Sequence, residues 1–297
     1  MEWKICRCCP SARGVVVKVV VTGATGFIGR HVVGSLNRRG IEPFLVIQPD
    51  TRTSERLKRG GAIELDLREE SDGTIFTRLG EPDLLIHLAW GGLPNYRSRH
   101  HLEEELPAHD RFLSELIHSG LQSLAVAGTC FEYGMQTGAL SETMETKPDN
   151  PYGQAKDALR KRLEKMQAEY YFALTWGRFF YLYGEGQSSN SLLPQLERAV
   201  KQGDTVFDMS GGEQLRDYLP VEKAADWLVE LGVSQKNNGV VNICSGEPIS
   251  VARLTESWIK TNQWNISLNL GAYPYPDYEP MEFWGDREKL ARCLDET

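Results

Sequence analysis

Residues 19–29 read VVVTGATGFIG, in which an apolar run leads into small residues and then into the start of a helical pattern. The β-branched run predicts a buried strand, and Gly23, Gly26 and Gly29 predict a tight turn that opens a helix. Glycines in this arrangement let backbone N–H groups and the helix N-terminus approach a pyrophosphate. The stretch therefore predicts the first strand, turn and helix of a dinucleotide-binding sheet.

Alternation of strands and helices continues through the N-terminal half of the chain. The first helical pattern runs from Phe27 to Arg39 and stops at Gly40, a residue type that commonly ends helices. Apolar runs predict strands at 44–47, 62–65, 83–88, 121–128 and 171–176, and helical patterning lies near 103–119 and 152–169. This order predicts an α/β fold built on a doubly wound parallel Rossmann sheet.

Beyond about residue 185 the alternation weakens, and helices are predicted at 192–202 and 222–232. We expect an NAD(P)-binding Rossmann domain over residues 17–185 and a smaller substrate-binding portion over 186–297, with strands free to cross between them. Residues 1–16 are expected to be a disordered, dispensable N-terminal extension, because Val17 begins the first strand and stands in the place of an initiator residue.

Composition restricts the classes of function. The 297 residues are 41% hydrophobic and 25% charged with a formal net charge of -8, which argues against an overall attraction to nucleic acid or to an anionic membrane. No apolar stretch approaches the roughly 20 residues that span a bilayer, and residues 1–15 lack the apolar core of a signal peptide, so a cytoplasmic protein is expected. Three of the six cysteines crowd into Cys6–Cys9 without a second ligand pair nearby, and no metal site is expected.

Tyr152 and Lys156 lie four residues apart in the stretch PYGQAK, a spacing that places the phenol and the ammonium on one face of a helix. A phenol ordinarily loses its proton near pH ~10, and a nearby cation favours the phenolate, so the pair predicts proton exchange closer to neutral pH. The same spacing is common by chance on solvated helices. The pair gains its meaning from the glycine turn and from the other motifs of the chain.

Several motifs stand in a fixed order around that pair. They are the turn Thr22–Gly29, the pair Asp66-Leu67, the strand end His87-Leu88-Ala89, Thr129 before Gly134, the strand Arg178–Gly184, and the stretches Arg216–Leu219 and Asn242–Gly246. From about Val17 to about Leu254, the chain resembles the extended short-chain dehydrogenase/reductase superfamily, in its branch of nucleotide-sugar epimerases, dehydratases and 4-ketoreductases. The resemblance implies a Rossmann fold, an NAD or NADP cofactor and a nucleotide-sugar substrate.

The resemblance also implies roles for individual residues, with Thr129, Tyr152 and Lys156 as the catalytic set. Tyr152 would exchange a proton with a sugar oxygen while nicotinamide C4 exchanges a hydride with the attached carbon. Thr129 would orient that oxygen, and Lys156 would lower the pKa of the phenol and hold the nicotinamide ribose. The implied cofactor-binding residues are Gly23, Thr25, Gly26, Phe27, Ile28, Gly29, Gln48, Arg52, Asp66, Leu67, Leu88, Ala89, Tyr152, Lys156 and Phe179. The implied substrate-binding residues are Trp90, Thr129, Tyr181, Gln187 and Arg216.

One departure from the family pattern follows the catalytic threonine. Dehydratases that this chain resembles carry an acidic pair there, whereas this chain has Cys130 and Phe131, and neither side chain can serve as the required acid or base. Glu132 comes next, on a stretch that predicts a strand, in which adjacent side chains point opposite ways. Dehydration is therefore disfavoured.

Two further departures concern the substrate pocket. Tyr181 stands where many epimerases and dehydratases have an asparagine beside the sugar diphosphate. Trp90 replaces one of the small residues that often follow the His-Leu-Ala stretch, so its indole either narrows the pocket or fills the core. The substrate contacts of the family are therefore not carried over directly to these positions.

Cofactor choice depends on the end of the second strand, where NAD-binding members have an aspartate for the ribose diol. Residues 47–52 read IQPDTR, so Asp50 comes late in the sequence. Arg52 could pair with a 2′-phosphate, or it could be a solvated loop charge like Arg56. The sequence leans to NADP(H) over NAD.

Together these features favour a nucleotide-sugar 4-ketoreductase, which reduces a nucleoside-diphosphate 4-keto-6-deoxyhexose to a deoxysugar for surface polysaccharide or glycoconjugate synthesis. The alternatives are a nucleotide-sugar 4-epimerase with tightly bound NAD, and a non-catalytic dinucleotide-binding sensor. Sensors of this superfamily commonly lack the tyrosine or the lysine, and this chain has both. By resemblance a homodimer is expected, through the helices near 103–119 and 152–169.

Overall fold

The computed structural model of the protein describes residues 17–49, 61–69, 73–275 and 279–295. Its strands are β1 Val19–Thr22, β2 Phe44–Ile47, β3 Ile63–Glu64, β4 Leu84–His87, β5 Ser123–Thr129, β6 Gly138–Leu140, β7 Ala173–Phe179, β8 Tyr181–Tyr183, β9 Val206–Asp208, β10 Leu215–Pro220, β11 Gly239–Ile243, β12 Pro248–Ser250, β13 Ser267–Asn269 and β14 Phe283–Gly285.

Its helices are α1 Phe27–Arg38, α2 Ile75–Arg78, α3 Leu106–His118, α4 Pro151–Met166, α5 Leu192–Gln202, α6 Val221–Val233, α7 Val251–Asn262 and α8 Glu288–Cys293. A π-helical turn, His101–Glu105, leads directly into α3. A 3₁₀ turn, Cys130–Tyr133, follows β5 without a break.

Seven parallel strands form the main sheet in the order β3-β2-β1-β4-β5-β7-β11, which confirms the predicted doubly wound α/β fold. The chain moves outward from β1 through β2 to β3 and then returns to the other side of β1 with β4. Thr22 pairs with Val46 of β2 and with His87 of β4, so these strands end side by side. Sheets of this kind bind ligands beyond the carboxyl ends of the strands where the order reverses. Here that place lies beside Thr22 and His87.

The two faces of the main sheet are covered by different helices, and β1 shows why its apolar run is continuous. Val19 and Val21 pack in the core that contains Leu228 of α6, whereas Val20 packs in the opposite core with Leu113 of α3. Side chains alternate between the faces of a strand, so a strand that is buried on both faces needs apolar residues at successive positions.

Elements after β7 form a smaller group beside the strand ends. β10 pairs parallel with β8 and antiparallel with β12, while α5 and α7 contribute Leu196 and Trp258 to a separate core cluster. The chain also returns to the main sheet, because β11 pairs with β7 over residues 239–243 and α6 covers one face. Residues on both sides of position 185 therefore build the large sheet.

The predicted strands and helices are present, with boundaries displaced by a few residues. The strand predicted at 171–176 begins at Ala173 and continues to Phe179, because its ladders with β5 and β11 extend that far. The predicted extension at residues 1–16, together with Asp50, Arg52 and Arg56, lies outside the described residues. Across the described ranges, none of the helices combines the length and the apolar character that crossing a bilayer requires.

Candidate active site

The glycine turn after β1 is packed so closely that side chains do not fit. Gly23 has a φ of +70°, and a Cβ there would lie 2.7 Å from the backbone nitrogen of Ala89. A Cβ on Gly29 would lie 2.0 Å from the carbonyl oxygen of Gly23, so the first turn of α1 rests directly on the turn. The N-terminal N–H groups of α1 therefore open onto the point where the strand order reverses, as pyrophosphate binding requires.

Gly29→Ala is expected to destabilise the fold by about 3 kcal/mol, because the added methyl group must displace backbone atoms of the turn. NADH affinity is expected to fall about tenfold or more, since about 1.4 kcal/mol of lost binding energy corresponds to a factor of ten. Thermal unfolding and fluorescence titration with NADH measure the two effects. Gly34→Ala in the same helix is the matched control, because its Cβ would meet Arg38 at an ordinary 3.5 Å. Equal behaviour of the two variants would contradict the packing argument.

A first cleft, of about 240 Å³, lies at the carboxyl ends of β1, β2 and β4. Eight of the predicted cofactor-binding residues line it: Gly23, Thr25, Gly26, Gln48, Asp66, Leu67, Leu88 and Ala89. The Arg68 guanidinium donates to the Asp66 carboxylate at 2.8 Å, and this hydrogen bond lowers the pKa of Asp66. The cleft has the position of an adenosine and pyrophosphate site.

A second cleft, of about 670 Å³, continues from the first, and Leu88 and Trp90 line both. The predicted site residues that line it are Phe27, Ile28, Leu88, Trp90, Thr129, Tyr152, Lys156, Phe179, Tyr181 and Gln187. Its volume is within the range of about 300–1,000 Å³ that is usual for small-molecule sites. The predicted catalytic residues and most predicted substrate residues therefore share one cavity.

Of the remaining predicted residues, two lie elsewhere and the third is not described. Gly29 packs beneath the turn, and Arg52 is outside the described residues. Arg216 is buried beside the second cleft, where its Nη2 donates to Glu279 Oε2 at 3.1 Å and its guanidinium lies 4.6 Å from the ring centre of Phe283. Glu279 itself lines the second cleft, so its carboxylate is paired with Arg216, which the resemblance implies to be a substrate-binding residue.

Tyr152 occupies the first turn of α4 and is fixed by backbone contacts. Asn150 caps the helix and accepts a hydrogen bond from Gly153 N at 2.9 Å. Tyr152 N donates to Tyr96 O at 3.1 Å, and the Tyr152 residue is 8% exposed. The phenol is thereby held at the wall of the second cleft.

The environment of Tyr152 changes the acidity of its phenol. Burial, followed by the neighbouring Tyr96, raises the pKa of Tyr152, while a hydrogen bond with Thr129 lowers it in part. The spacing predicted a phenol whose pKa is brought toward neutral pH, whereas the net shift of the Tyr152 pKa is upward. Desolvation dominates because the phenol lies in a site that excludes most of the solvent.

Lys156 is 1% exposed, and its Nζ donates to the carbonyl oxygen of Ala127 at 2.9 Å. The Nζ lies 6.0 Å from the ring centre of Tyr152, so the two residues face the same cleft without direct contact. Burial lowers the pKa of Lys156 to about 7, against the opposing charges of Glu132 and Glu105. The ammonium is therefore poised to change charge near neutral pH.

Glu132 is a site residue that sequence reasoning placed incorrectly. It lies in the 3₁₀ turn and not on a strand, and it is fully buried. Its Oε1 accepts hydrogen bonds from Thr129 N at 3.0 Å and Trp176 Nε1 at 2.8 Å, and its Oε2 accepts from Arg178 Nε at 2.7 Å. The Thr129 hydroxyl in turn accepts from Phe131 N, which completes a capping box. The T-x-x-E spacing of a capping box was the available sequence signal.

Cys130 and Phe131 line the second cleft directly after Thr129. Burial raises the pKa of the Cys130 thiol far above its ordinary value, and it stays protonated. Phe131 has no ionisable group. The two positions that carry the acid pair in the dehydratases therefore offer no acid or base to this cleft.

Comparison with known proteins finds similarity to enzymes that act on nucleotide-sugars. The chain is 29% identical over 276 residues to a dTDP-6-deoxy-L-talose 4-dehydrogenase (NAD(+)) from Aggregatibacter actinomycetemcomitans, a match that covers 91% of this chain and 99% of the relative. It is 26% identical to a GDP-6-deoxy-D-talose 4-dehydrogenase from the same organism, with 94% and 91% of the two chains covered. The solved structure of MoeE5 in complex with UDP-glucuronic acid and NAD superposes with a TM-score of 0.75 at 26% identity, covering 94% of this chain and 92% of that chain.

The family model described as the NAD dependent epimerase/dehydratase family matches residues 19–244. This range runs from β1 to the residue after β11 and includes Thr129, Tyr152 and Lys156. The resemblance seen in the sequence is confirmed, and the chain belongs to the NAD-dependent epimerase/dehydratase family.

Proposed function

We propose that the protein is an NAD-dependent oxidoreductase that interconverts the 4-keto and 4-hydroxyl forms of a nucleoside-diphosphate 6-deoxyhexose. The observation that carries this proposal is the wall of the second cleft, where Thr129 and Tyr152 lie beside Lys156. Cys130 and Phe131, the neighbours of Thr129, supply no further acid or base. The cleft thus presents a phenolic proton donor, and the two positions after Thr129, which carry the acid pair in the dehydratases, add no acid or base.

In the reducing direction, Tyr152 donates its phenolic proton to the sugar O4 while C4 receives a hydride. When bound, the dinucleotide supplies that hydride from its reduced nicotinamide, and it is oxidised as the ketone becomes an alcohol. Thr129 donates its hydroxyl hydrogen to the same oxygen and orients the carbonyl. The raised pKa of Tyr152 keeps the phenol protonated before the transfer.

The relatives include oxidoreductases and an epimerase, and the oxidoreductases support the proposal. Two of them are named as 4-dehydrogenases of 6-deoxytalose nucleotides, and they match more than nine tenths of their own length. A 4-dehydrogenase and a 4-ketoreductase catalyse the same reaction in opposite directions. The direction that operates in the cell depends on the concentrations of the sugars and of the two cofactor forms.

For the cofactor we propose NAD, in place of the NADP to which the sequence leaned. One relative is named for NAD(+), and MoeE5 was solved with NAD. The lean to NADP rested on Arg52, which lies outside the described residues, whereas Gln48 and Asp66 both line the first cleft. The Gln48 amide and the Asp66 carboxylate can hydrogen-bond a ribose diol, and the Arg68 cation in the same cleft is already paired with Asp66.

Elements beyond residue 185 supply much of the wall for the substrate. Leu192, Tyr218 and Trp258 line the second cleft together with Tyr181 and Gln187. We therefore retain the division into a cofactor-binding part and a smaller nucleotide-sugar-binding part as a proposal.

A homodimer through α3 and α4 also stays a proposal. The exposed positions of these helices are polar, namely Arg111, His118, Gln154, Lys161, Arg162 and Lys165.

Absorbance at the nicotinamide band tests the reaction and separates it from its alternatives. With purified protein and a dTDP- or GDP-4-keto-6-deoxyhexose, we expect NADH to be oxidised with a higher kcat/KM than NADPH. NAD should be reduced in the presence of the matching 6-deoxyhexose nucleotide. Interconversion of two hydroxyl sugars without any net change in absorbance would move the assignment to the 4-epimerase. Binding of NADH without turnover of any nucleotide-sugar would favour the sensor.

A further inference from the structure

A group of four side chains lies beside the segment that directly follows β4. It is on the side of the second cleft that faces Lys156. It consists of Trp90, His101, Glu105 and His109, and we refer to it as the Trp90 cluster. Glu105 and His109 are almost fully buried, at 5% and 3% exposure. Buried ionisable groups of this kind are costly unless they are paired, so their arrangement calls for a physical role.

The indole of Trp90 contacts both a cation and an aromatic ring. Lys156 Nζ lies 3.9 Å from the indole ring centre, well within cation–π range. The His109 imidazole stacks on Trp90 at 4.5 Å with an interplanar angle of 11°. Trp90 Nε1 also donates to His101 Nδ1 at 3.1 Å, and His101 Nε2 donates to Asn95 O at 2.9 Å. The orientation of the indole is thus fixed by its stacking partner and by its N–H.

A chain of hydrogen bonds fixes the ring of His109. Thr22 Oγ1 accepts from backbone N–H groups, so its hydroxyl donates to His87 Nδ1 at 2.8 Å. His87 Nε2 then donates to His109 Nδ1 at 2.8 Å, and His109 Nε2 donates to Glu105 Oε2 at 3.0 Å. With both histidines neutral, each ring has one nitrogen that accepts and one that donates, an assignment that follows from the network. Burial lowers the pKa of both histidines, in agreement with the neutral forms.

Glu105 anchors the cluster at its other end. Its Oε2 also accepts from Gly91 N at 2.5 Å, which fixes the backbone directly after Trp90. Its Oε1 accepts from His100 Nε2 at 3.0 Å. The Glu105 carboxylate therefore fixes two things: the His109 ring that stacks on the indole, and the backbone next to Trp90.

The charged form of Lys156 needs stabilisation by its neighbours, because the ammonium is almost fully buried and donates a hydrogen bond to Ala127 O. An ammonium has three donors, and in a site of low dielectric constant the charged form requires compensation. The face of Trp90 offers it directly, and the charge of Glu105 adds to it from a longer range. These contributions oppose the desolvation that acts on the lysine.

We propose that the Trp90 cluster is a positioning device for Lys156, in which Glu105 and His109 hold the Trp90 indole against the ammonium and the indole stabilises its charge. The importance of this device for turnover rests on the proposed function. Its effect on Lys156 does not, because the cluster acts within the folded chain. Trp90 is then a positioning residue rather than core filler.

The groups that face Lys156 determine whether a substitution in the cluster raises or lowers the pH at which the lysine loses its proton. They are Glu132 after β5, Glu105 before α3, His109 on α3, His87 at the end of β4, His101 in the π-helical turn and Tyr152 on α4 itself. The two carboxylates favour the ammonium, and the histidines disfavour it only when they carry a proton. Removing the aromatic face or the Glu105 charge therefore makes Lys156 lose its proton at a lower pH.

Titration of Lys156 by NMR of protein labelled with 13C at lysine Cε tests the proposal without any substrate, and Lys156→Arg identifies the signal. Trp90→Leu is expected to lower the midpoint by about one pH unit, as loss of a desolvated cation–π contact implies. Trp90→Phe keeps an aromatic face and should recover part of that shift. A shift smaller than about half a unit in Trp90→Leu would overturn the proposal, since half a unit is about 0.7 kcal/mol.

Glu105→Gln provides an independent test if Trp90→Leu does not fold. It should lower the midpoint as well, whereas Glu104→Gln should leave it unchanged, because Glu104 is exposed and pairs with His100. Equal midpoints in the two glutamine variants would overturn the role of Glu105. Where turnover is measured, the alkaline limb of kcat should move in the same direction. Absence of turnover together with a shifted Lys156 midpoint would count against the proposed function and not against the cluster.

Discussion

Tyr152→Phe is expected to lower kcat by about 1,000-fold, within the range of about 100- to 10,000-fold for loss of a general acid. The phenyl ring keeps its packing against Tyr96 and Trp90, whose ring centres lie 5.6 Å and 6.1 Å away. Only the hydroxyl that donates the proton is removed, so the melting temperature and the affinity for NADH should change little. Stopped-flow absorbance at the nicotinamide band measures the rate, and calorimetry measures the stability.

Tyr171→Phe is the matched control for that substitution, because Tyr171 is 91% exposed and distant from the cleft. It should retain the wild-type rate. A Tyr152→Phe variant that turns over as fast as Tyr171→Phe would remove Tyr152 from the chemistry. A variant that has lost NADH binding as well would indicate a structural rather than a catalytic defect.

Glu132→Gln is expected to destabilise the protein by about 3–5 kcal/mol, which is usual when one partner of a buried ion pair is removed. Arg178 is 1% exposed and would keep its charge, because burial beside Glu132 does not deprotonate a guanidinium. An amide in place of the carboxylate leaves that charge without a counterion. Chemical unfolding followed by tryptophan fluorescence measures the loss. The same variant should also lower kcat, because Thr129 N loses a charged acceptor.

A double-mutant cycle distinguishes loss of the ion pair from simple loss of packing. Arg178→Gln removes the buried cation, and the variant carrying both substitutions has neither charge. If the pair is the source of the effect, the double variant should be more stable than the sum of the two single losses predicts. Strictly additive losses would contradict the pairing argument.

Local patterns were enough to predict the βα turn and most of the secondary structure. Three successive valines encode a strand buried on both faces, and Gly23 and Gly29 stand where an added Cβ would collide with the backbone. Helix α5 begins and ends where its apolar pattern does, at Leu192 and Gln202. Such features depend on steric and periodic constraints between near neighbours in the chain, which a single sequence displays directly.

The chemistry around the predicted residues was decided by contacts between distant segments. Glu132 meets Arg178 across 46 positions, and Arg216 meets Glu279 across 63. Trp90 reaches Lys156 only because β4 and α4 flank the same cleft. The sequence by itself determined the fold, the family and the catalytic residues that line the second cleft. The tertiary structure alone decided their charge states, because desolvation and through-space pairing depend on the whole folded environment and not on spacing along the chain.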